Sequence, residues 1–101
     1  MIWIYTTCKN KKEAVRISNH LIKNKLAACN NMFPISSVYR WKNKIVKDKE
    51  YALIIKTKNG KFNKIKNEIK KIHGYEVPCI LKININKVNK EYLSWLNKEV
   101  K

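Results

Sequence analysis

No stretch of this 101-residue sequence approaches the 18 or so uninterrupted apolar residues that a membrane-crossing helix needs, so a membrane partner is not expected. The chain opens on Met1-Ile2-Trp3-Ile4-Tyr5-Thr6-Thr7, with no basic leader, no long apolar segment and no small-residue cleavage site. The expected compartment is the cytoplasm. Three cysteines, Cys8, Cys29 and Cys79, are an odd number without secretory context, which points to reduced thiols and not to a disulfide framework. Machinery for catalysis is missing too. There is no paired carboxylate arrangement, no Gly-rich phosphate loop, and no Ser or Cys nucleophile with an identifiable base and orienting residue. An enzyme is not expected. Arginine is scarce: of 23 basic residues only Arg16 and Arg40 carry a guanidinium, the group that phosphate and base-edge recognition favours. The net charge of +16 is therefore dispersed lysine, which predicts weak, sequence-independent attraction to polyanions and no specific nucleic acid.

What is present reads as one packed domain over residues 1–101. Apolar residues make up 45% of the chain, the share of a globular core. Residues 2–7 alternate, with Ile2, Ile4 and Thr6 on one face and Trp3, Tyr5 and Thr7 on the other, which predicts a first strand. Asn10-Lys11-Lys12-Glu13 resembles a capping box, and Ala14, Ile17 and Leu21 continue as a helical stripe to about Lys25. From Leu26 to Trp41 the helical period is lost, predicting a long strand broken or bulged at Pro34. Lys42-Asn43-Lys44 can turn the chain, with Asn43 tolerating a left-handed backbone, and Tyr51 to Thr57 return as a third strand. Phe62, Ile65, Ile69 and Ile72 mark a second amphipathic helix, which Gly74 is expected to close. A fourth strand is placed at Val77 to Ile85, and Asn89 is expected to cap a short final helix.

The order strand, helix, strand, strand, helix, strand is the split βαβ motif, so the fold class is α+β, ferredoxin-like βαββαβ, with a long β2-β3 hairpin, a short C-terminal helix and antiparallel sheet order 4-1-3-2. In that topology the end of strand one and the start of strand four share an edge. Cys8, His73 and Cys79 gather there, near Glu76 and Trp41. A thiolate, an imidazole and a carboxylate in one neighbourhood suit copper or zinc, and Cys8, His73 and Cys79 are the predicted metal ligands. No Cys-x-x-Cys or His-x-x-x-His spacing enforces the site. Cys29 begins strand two at the opposite edge and can join only through a bend or a second subunit.

Five runs, Lys25-Leu26-Ala27-Ala28-Cys29-Asn30, Val38-Tyr39-Arg40-Trp41, Ile54-Ile55-Lys56-Thr57, His73-Gly74-Tyr75-Glu76-Val77-Pro78 and Tyr92-Leu93-Ser94-Trp95-Leu96, resemble motifs of the CutA divalent-cation-tolerance family in order and spacing. The resemblance covers most of the chain. It implies a ferredoxin-like homotrimer with interlocking hairpins, binding of copper or another divalent metal ion, and a role in metal tolerance or small-ligand sensing. It also implies a cleft between subunits, for which Cys29, Trp41, Lys56, Tyr75 and Glu76 are the residues here. Departures concern the metal. The family usually has Pro after the His and Glu after the Val-Pro, where this chain has Gly74 and Cys79; its Trp-Glu-Gly turn is Trp41-Lys42-Asn43, and some members carry a cysteine at Thr6. Carboxylates are replaced by thiols, so a softer ligand set is expected.

The large aromatics Trp3, Tyr39, Trp41, Tyr92 and Trp95 exceed what a sheet with one helical layer readily buries, which fits an interface. An alternative is a basic RNA-recognition-like module, which shares the element order and stacks bases on strand aromatics such as Trp3 and Tyr5. Strand three lacks the Gly and aromatic pattern of that module. A third reading is a purely structural trimer.

Overall fold

A computed structural model describes residues 1–101. The chain runs β1 (Ile2–Cys8), α1 (Lys11–Lys23), β2 (Cys29–Trp41), β3 (Lys44–Thr57), α2 (Phe62–Ile72), β4 (Ile80–Asn84) and α3 (Lys90–Glu99). The sheet order is β2-β3-β1-β4, with every neighbouring pair antiparallel, as the sequence pattern implies.

Strand alternation sets the two faces of the sheet. Ile2, Ile4, Thr6 and Cys8 are buried, and Leu53, Ile55 and Thr57 of β3 stand beside them by register. Helices cover this face through Ala14, Ile17 and Leu21 of α1 and Ile65 and Ile69 of α2, residues three and four apart that share one side of each helix. The opposite face carries Trp3, Tyr5 and Thr7 opposite Lys56, Ile54 and Ala52. We call it the open face.

Asn10 caps α1 as expected, its Oδ1 accepting from the Glu13 N–H at 2.9 Å. Glu13 reaches back one residue further than a capping box requires, to the Lys9 N–H at 3.0 Å. The hairpin turn is Lys42-Asn43, with φ of 49° and 66°, so both central residues are left-handed and the turn's twist matches that of its strands. Beyond the pair Cys8↔Tyr51 the hairpin continues without β1 beneath it. That projection makes the long axis 45 Å and the radius of gyration 14.2 Å, above the value near 13 Å typical of a chain this size.

Four local expectations need correction. Pro34 pairs with Tyr51 in unbroken register, so there is no bulge; β2 is an edge strand and bonds along only one side. Strand β4 starts at Ile80, not Val77, because Pro78 cannot donate to a ladder and the ladder with β1 ends at Thr6↔Ile80. Helix α2 is closed by an extended His73, whose N–H reaches the Ile69 carbonyl at 2.8 Å, and Gly74 serves a different purpose described below. Asn89 precedes α3 without a side-chain capping bond.

Candidate functional site

The expected metal ligands separate. Cys8, at the inward parity of β1, is fully buried, and burial followed by the nearby Glu13 carboxylate pushes its thiol up to about 12. Its neighbours in space are Glu13 and His73, with ligand atoms of all three within 4.8 Å of one another. Cys79 lies outside that group.

Two of the three clustered residues, Glu13 and His73, are already spent on backbone. Glu13 Oε1 accepts from the Lys9 N–H and Oε2 from the Gly74 N–H, each at 3.0 Å, with the Arg16 guanidinium 3.7 Å away. His73 Nε2 donates to the Thr7 carbonyl at 2.8 Å, and its Nδ1 accepts from the Tyr75 N–H at 3.1 Å. A carbonyl can only accept and an N–H can only donate, so these partners select one tautomer and leave no free lone pair on the ring. The donor set has the chemistry of a metal site and the wiring of a latch. A metal there would have to displace the contacts that hold residues 73–75 to β1 and α1. Arg16 strengthens the latch by donating to the Ile72 carbonyl at 2.9 Å.

Cys79 faces the other way, into a cavity of about 610 Å³ at the hairpin end of the open face. Trp41, Tyr75 and Glu76, three of the five residues expected in a cleft between subunits, line the same cavity. Glu50, which sequence reasoning missed, lies there too. It is only 7% exposed, and its Oε2 accepts a short 2.6 Å bond from the Tyr75 hydroxyl. The available signal was parity: Glu50, Ala52 and Ile54 alternate along β3 onto the same face. Burial and the Glu50 charge both push the Cys79 thiol up, and the same two causes, with the bond to Glu50, raise the Tyr75 hydroxyl. The cavity is a negative pocket in a positive protein.

Cys29 and Lys56 occupy the far end. They pair directly across β2 and β3, and the Lys56 ammonium stands 5.9 Å from the Trp3 ring centroid and 5.8 Å from that of Tyr92. Burial raises the Tyr92 hydroxyl, with Cys29 adding to the shift. Lys56 and Glu50 lie six positions apart on β3, roughly 20 Å along a strand. Within one chain the five cleft residues therefore form two half-sites.

Residues 2–99 match the family model described as CutA1 divalent ion tolerance protein. The divalent-cation tolerance protein CutA of Archaeoglobus fulgidus is 43% identical over 98 residues, covering 97% of this chain and 96% of its own. That of Thermotoga maritima is 41% identical over 100 residues, covering 99% of each. Among solved structures, CutA1 from Pyrococcus horikoshii superposes with a TM-score of 0.97 at 38% identity, over 100% of this chain and 99% of that one. The periplasmic divalent cation tolerance protein CutA from Archaeoglobus fulgidus gives 0.97 at 42% identity, over 100% of both. This last relative corrects the cytoplasmic compartment expected from the sequence, because a chain of the same fold and length is described as periplasmic. No helix of the present chain is long and apolar enough to cross a membrane, and that fact does not choose between the two compartments. By sequence over nearly its whole length and by fold over all of it, the chain belongs to the CutA1 divalent ion tolerance protein family.

Proposed function

We propose that this chain acts as a homotrimeric metal-tolerance protein that binds copper or another soft or divalent metal ion, and that it does so as a binding or sensing protein and not as an enzyme. The observation that carries the reading is the open-face cavity, where a thiol (Cys79) and two carboxylates (Glu50 and Glu76) line one space. Thiolate selects soft and borderline ions, while carboxylates supply charge, so the donor set favours copper or zinc over Mg²⁺ or Ca²⁺. Of the ligands expected from the sequence, Cys79 is the one whose side chain faces a cavity. Cys8 and His73 enter the reading as a second position behind it, reached only if the latch opens.

Assembly supports the same reading. Phe33, Leu81 and Ile83, at 42%, 51% and 44% exposure, all project from the open face by register, an apolar surface that a solitary chain leaves in water. A neighbouring subunit packed there would also bring a Cys29 and Lys56 half-site toward a Glu50 and Cys79 half-site, completing the cleft. The RNA-recognition alternative finds less support, because Trp3 is half-buried with its indole N–H enclosed and Lys56 over its ring.

Light scattering on the purified protein should give three times the 12.0 kDa chain mass. A mass near one chain at micromolar concentration removes the trimer. Titration with Cu(I) against a competing chelator should show tighter binding in the wild type than in Cys79→Ser. If Cys79→Ser keeps the wild-type affinity while the Cys8→Ser, His73→Ala double variant loses it, the metal sits at the latch instead. Unchanged affinity in both variants overturns the metal assignment.

A further inference from the structure

The positive charge is dispersed along the sequence, but the fold gathers much of it on one face. Residues 9–25 and 61–71, little more than a quarter of the chain, hold nearly half of the 23 basic residues and only two of the 7 acidic ones, Glu13 and Glu68. These segments are α1 and α2 with their flanks. The two helices lie side by side over the core in opposite directions, since His20 bonds Glu68 at 3.0 Å and Arg16 donates to the Ile72 carbonyl at 2.9 Å. Lys12, Arg16 and Lys23, spaced four and seven apart, share the exposed side of α1. Lys64 and Lys71, seven apart, do the same on α2, and Lys61 precedes its first turn. Two rows of cations therefore flank the seam between the helices. Both acids are already engaged: Glu13 is buried and accepts from backbone N–H groups, and Glu68 gives one oxygen to His20 and the other to Lys71. The face lies across the sheet from the cavity and the exposed apolar residues, so a subunit packed on the open face leaves it in water.

We propose that this helical face is an interaction surface for duplex DNA, held through the phosphate backbone without regard to sequence. Of the six residues in the two rows only Arg16 is an arginine, and an ammonium acts as a point charge toward phosphate, whereas base reading calls for the guanidinium fork. Packed helices stand about 8–10 Å apart, and the grooves of B-DNA are about 6 and 12 Å wide, so the two rows match the phosphates that border one groove. Helix α1 has 13 residues, about 20 Å of length, along which a duplex offers one charge per about 1.7 Å. A membrane surface fits less well. Among the large apolar side chains of these two helices only Ile22 is exposed, at 41%, which leaves almost nothing to insert among headgroups.

Fluorescence anisotropy with a short labelled DNA duplex of mixed sequence tests this on the intact protein. Affinity should fall by about 10²- to 10³-fold between about 0.05 and 0.2 M salt, the loss expected for about four to five phosphate contacts. Unlabelled duplexes of unrelated sequence should compete equally. A variant combining Lys12→Gln, Lys23→Gln and Lys64→Gln spares Arg16 and Lys71, whose bonds join the helices, and should flatten the salt slope by about one per lysine and weaken low-salt binding at least about tenfold. A control combining Lys87→Gln, Lys90→Gln and Lys98→Gln removes the same charge in and before α3 and should leave the slope unchanged. Thermal melts confirm that both variants fold. Equal losses in the two variants would assign the binding to overall charge, and an unaffected helix variant would place it elsewhere; either overturns the proposal. So does a single strand of the same length that binds as tightly as the duplex, because it holds no two phosphate rows at fixed spacing. Binding of phosphatidylserine vesicles without binding of the duplex overturns it in favour of a membrane surface.

Discussion

The backbone N–H of Gly74 donates to Glu13 Oε2 at 3.0 Å, tying the residue that follows α2 to the first turn of α1, 61 positions away in sequence. A Cβ on Gly74 would lie 2.7 Å from that same oxygen, closer than real Cβ contacts allow. Glycine is needed here for close approach and not for a left-handed turn, since Gly60 is the only glycine with positive φ. The carboxylate also accepts from Lys9, so one buried side chain fixes the start of α1 and the segment leading to Tyr75, Glu76 and Cys79.

Gly74→Ala should therefore destabilise the fold by about 1–3 kcal/mol, the range for stranding or displacing a buried hydrogen-bonding group. Urea denaturation measures it. A loss under about 0.5 kcal/mol would show that the loop relaxes around the methyl and that the latch is soft.

Thiol reactivity follows from the same geometry. Cys8 is fully buried and its thiol is pushed up to about 12, whereas Cys29 and Cys79 are partly exposed. Alkylation of the native protein at pH 8 followed by mass mapping should leave Cys8 the last to react, with its labelling accelerated by denaturant. Early labelling of Cys8 would mean that the latch region opens under native conditions.

Alkaline pH should act through that thiol. Its folded value lies above the ordinary 9.0, so the unfolded chain ionises first, and stability that is full below about 9 declines as pH rises toward 12. In Cys8→Ala this decline should be shallower between those limits when unfolding free energies are compared. Parallel slopes for the two proteins would refute the assignment.

Acid should act through Glu68 between the helices. Its oxygens bond Lys71 at 2.9 Å and His20 at 3.0 Å, and these bonds, Lys71 first, hold the carboxyl down at about 2 against an ordinary 4.5. The folded value is depressed, so the stabilisation is present above about 4.5 and disappears as pH falls toward 2. The stability gap between wild type and Glu68→Gln should close across that window. A gap independent of pH would assign the cost to packing.

Core truncation gives the reference scale. Ile4 sits at 0% exposure on β1 among Ile55 and the helix residues, so Ile4→Ala should cost about 2–5 kcal/mol in the same denaturation assay. A cost below about 1 kcal/mol would mean that the core collapses around the lost atoms.

The sequence by itself determined whatever depends on neighbours within one helical turn or one strand. The alternation of Ile2 to Cys8, the stripe Ile65 and Ile69, the Asn10 cap and the Lys42-Asn43 turn are local patterns with local causes, and element order with right-handed crossovers then limited the sheet to the order observed. Tertiary structure decided which chemistry shares a site. Cys8 and Cys79 belong to one sheet edge in sequence logic, yet Cys8 faces the helices while Cys79 opens into a cavity with Thr7 and Glu50. One residue of strand parity separates the surroundings of Cys8 from those of Thr7, and no local signal revealed that Glu13 would capture Gly74. Glu50 stayed hidden for the same reason: a charged residue in a lysine-rich strand reads as solvent-facing until Tyr75, 25 positions away, is brought over it by the loop after α2.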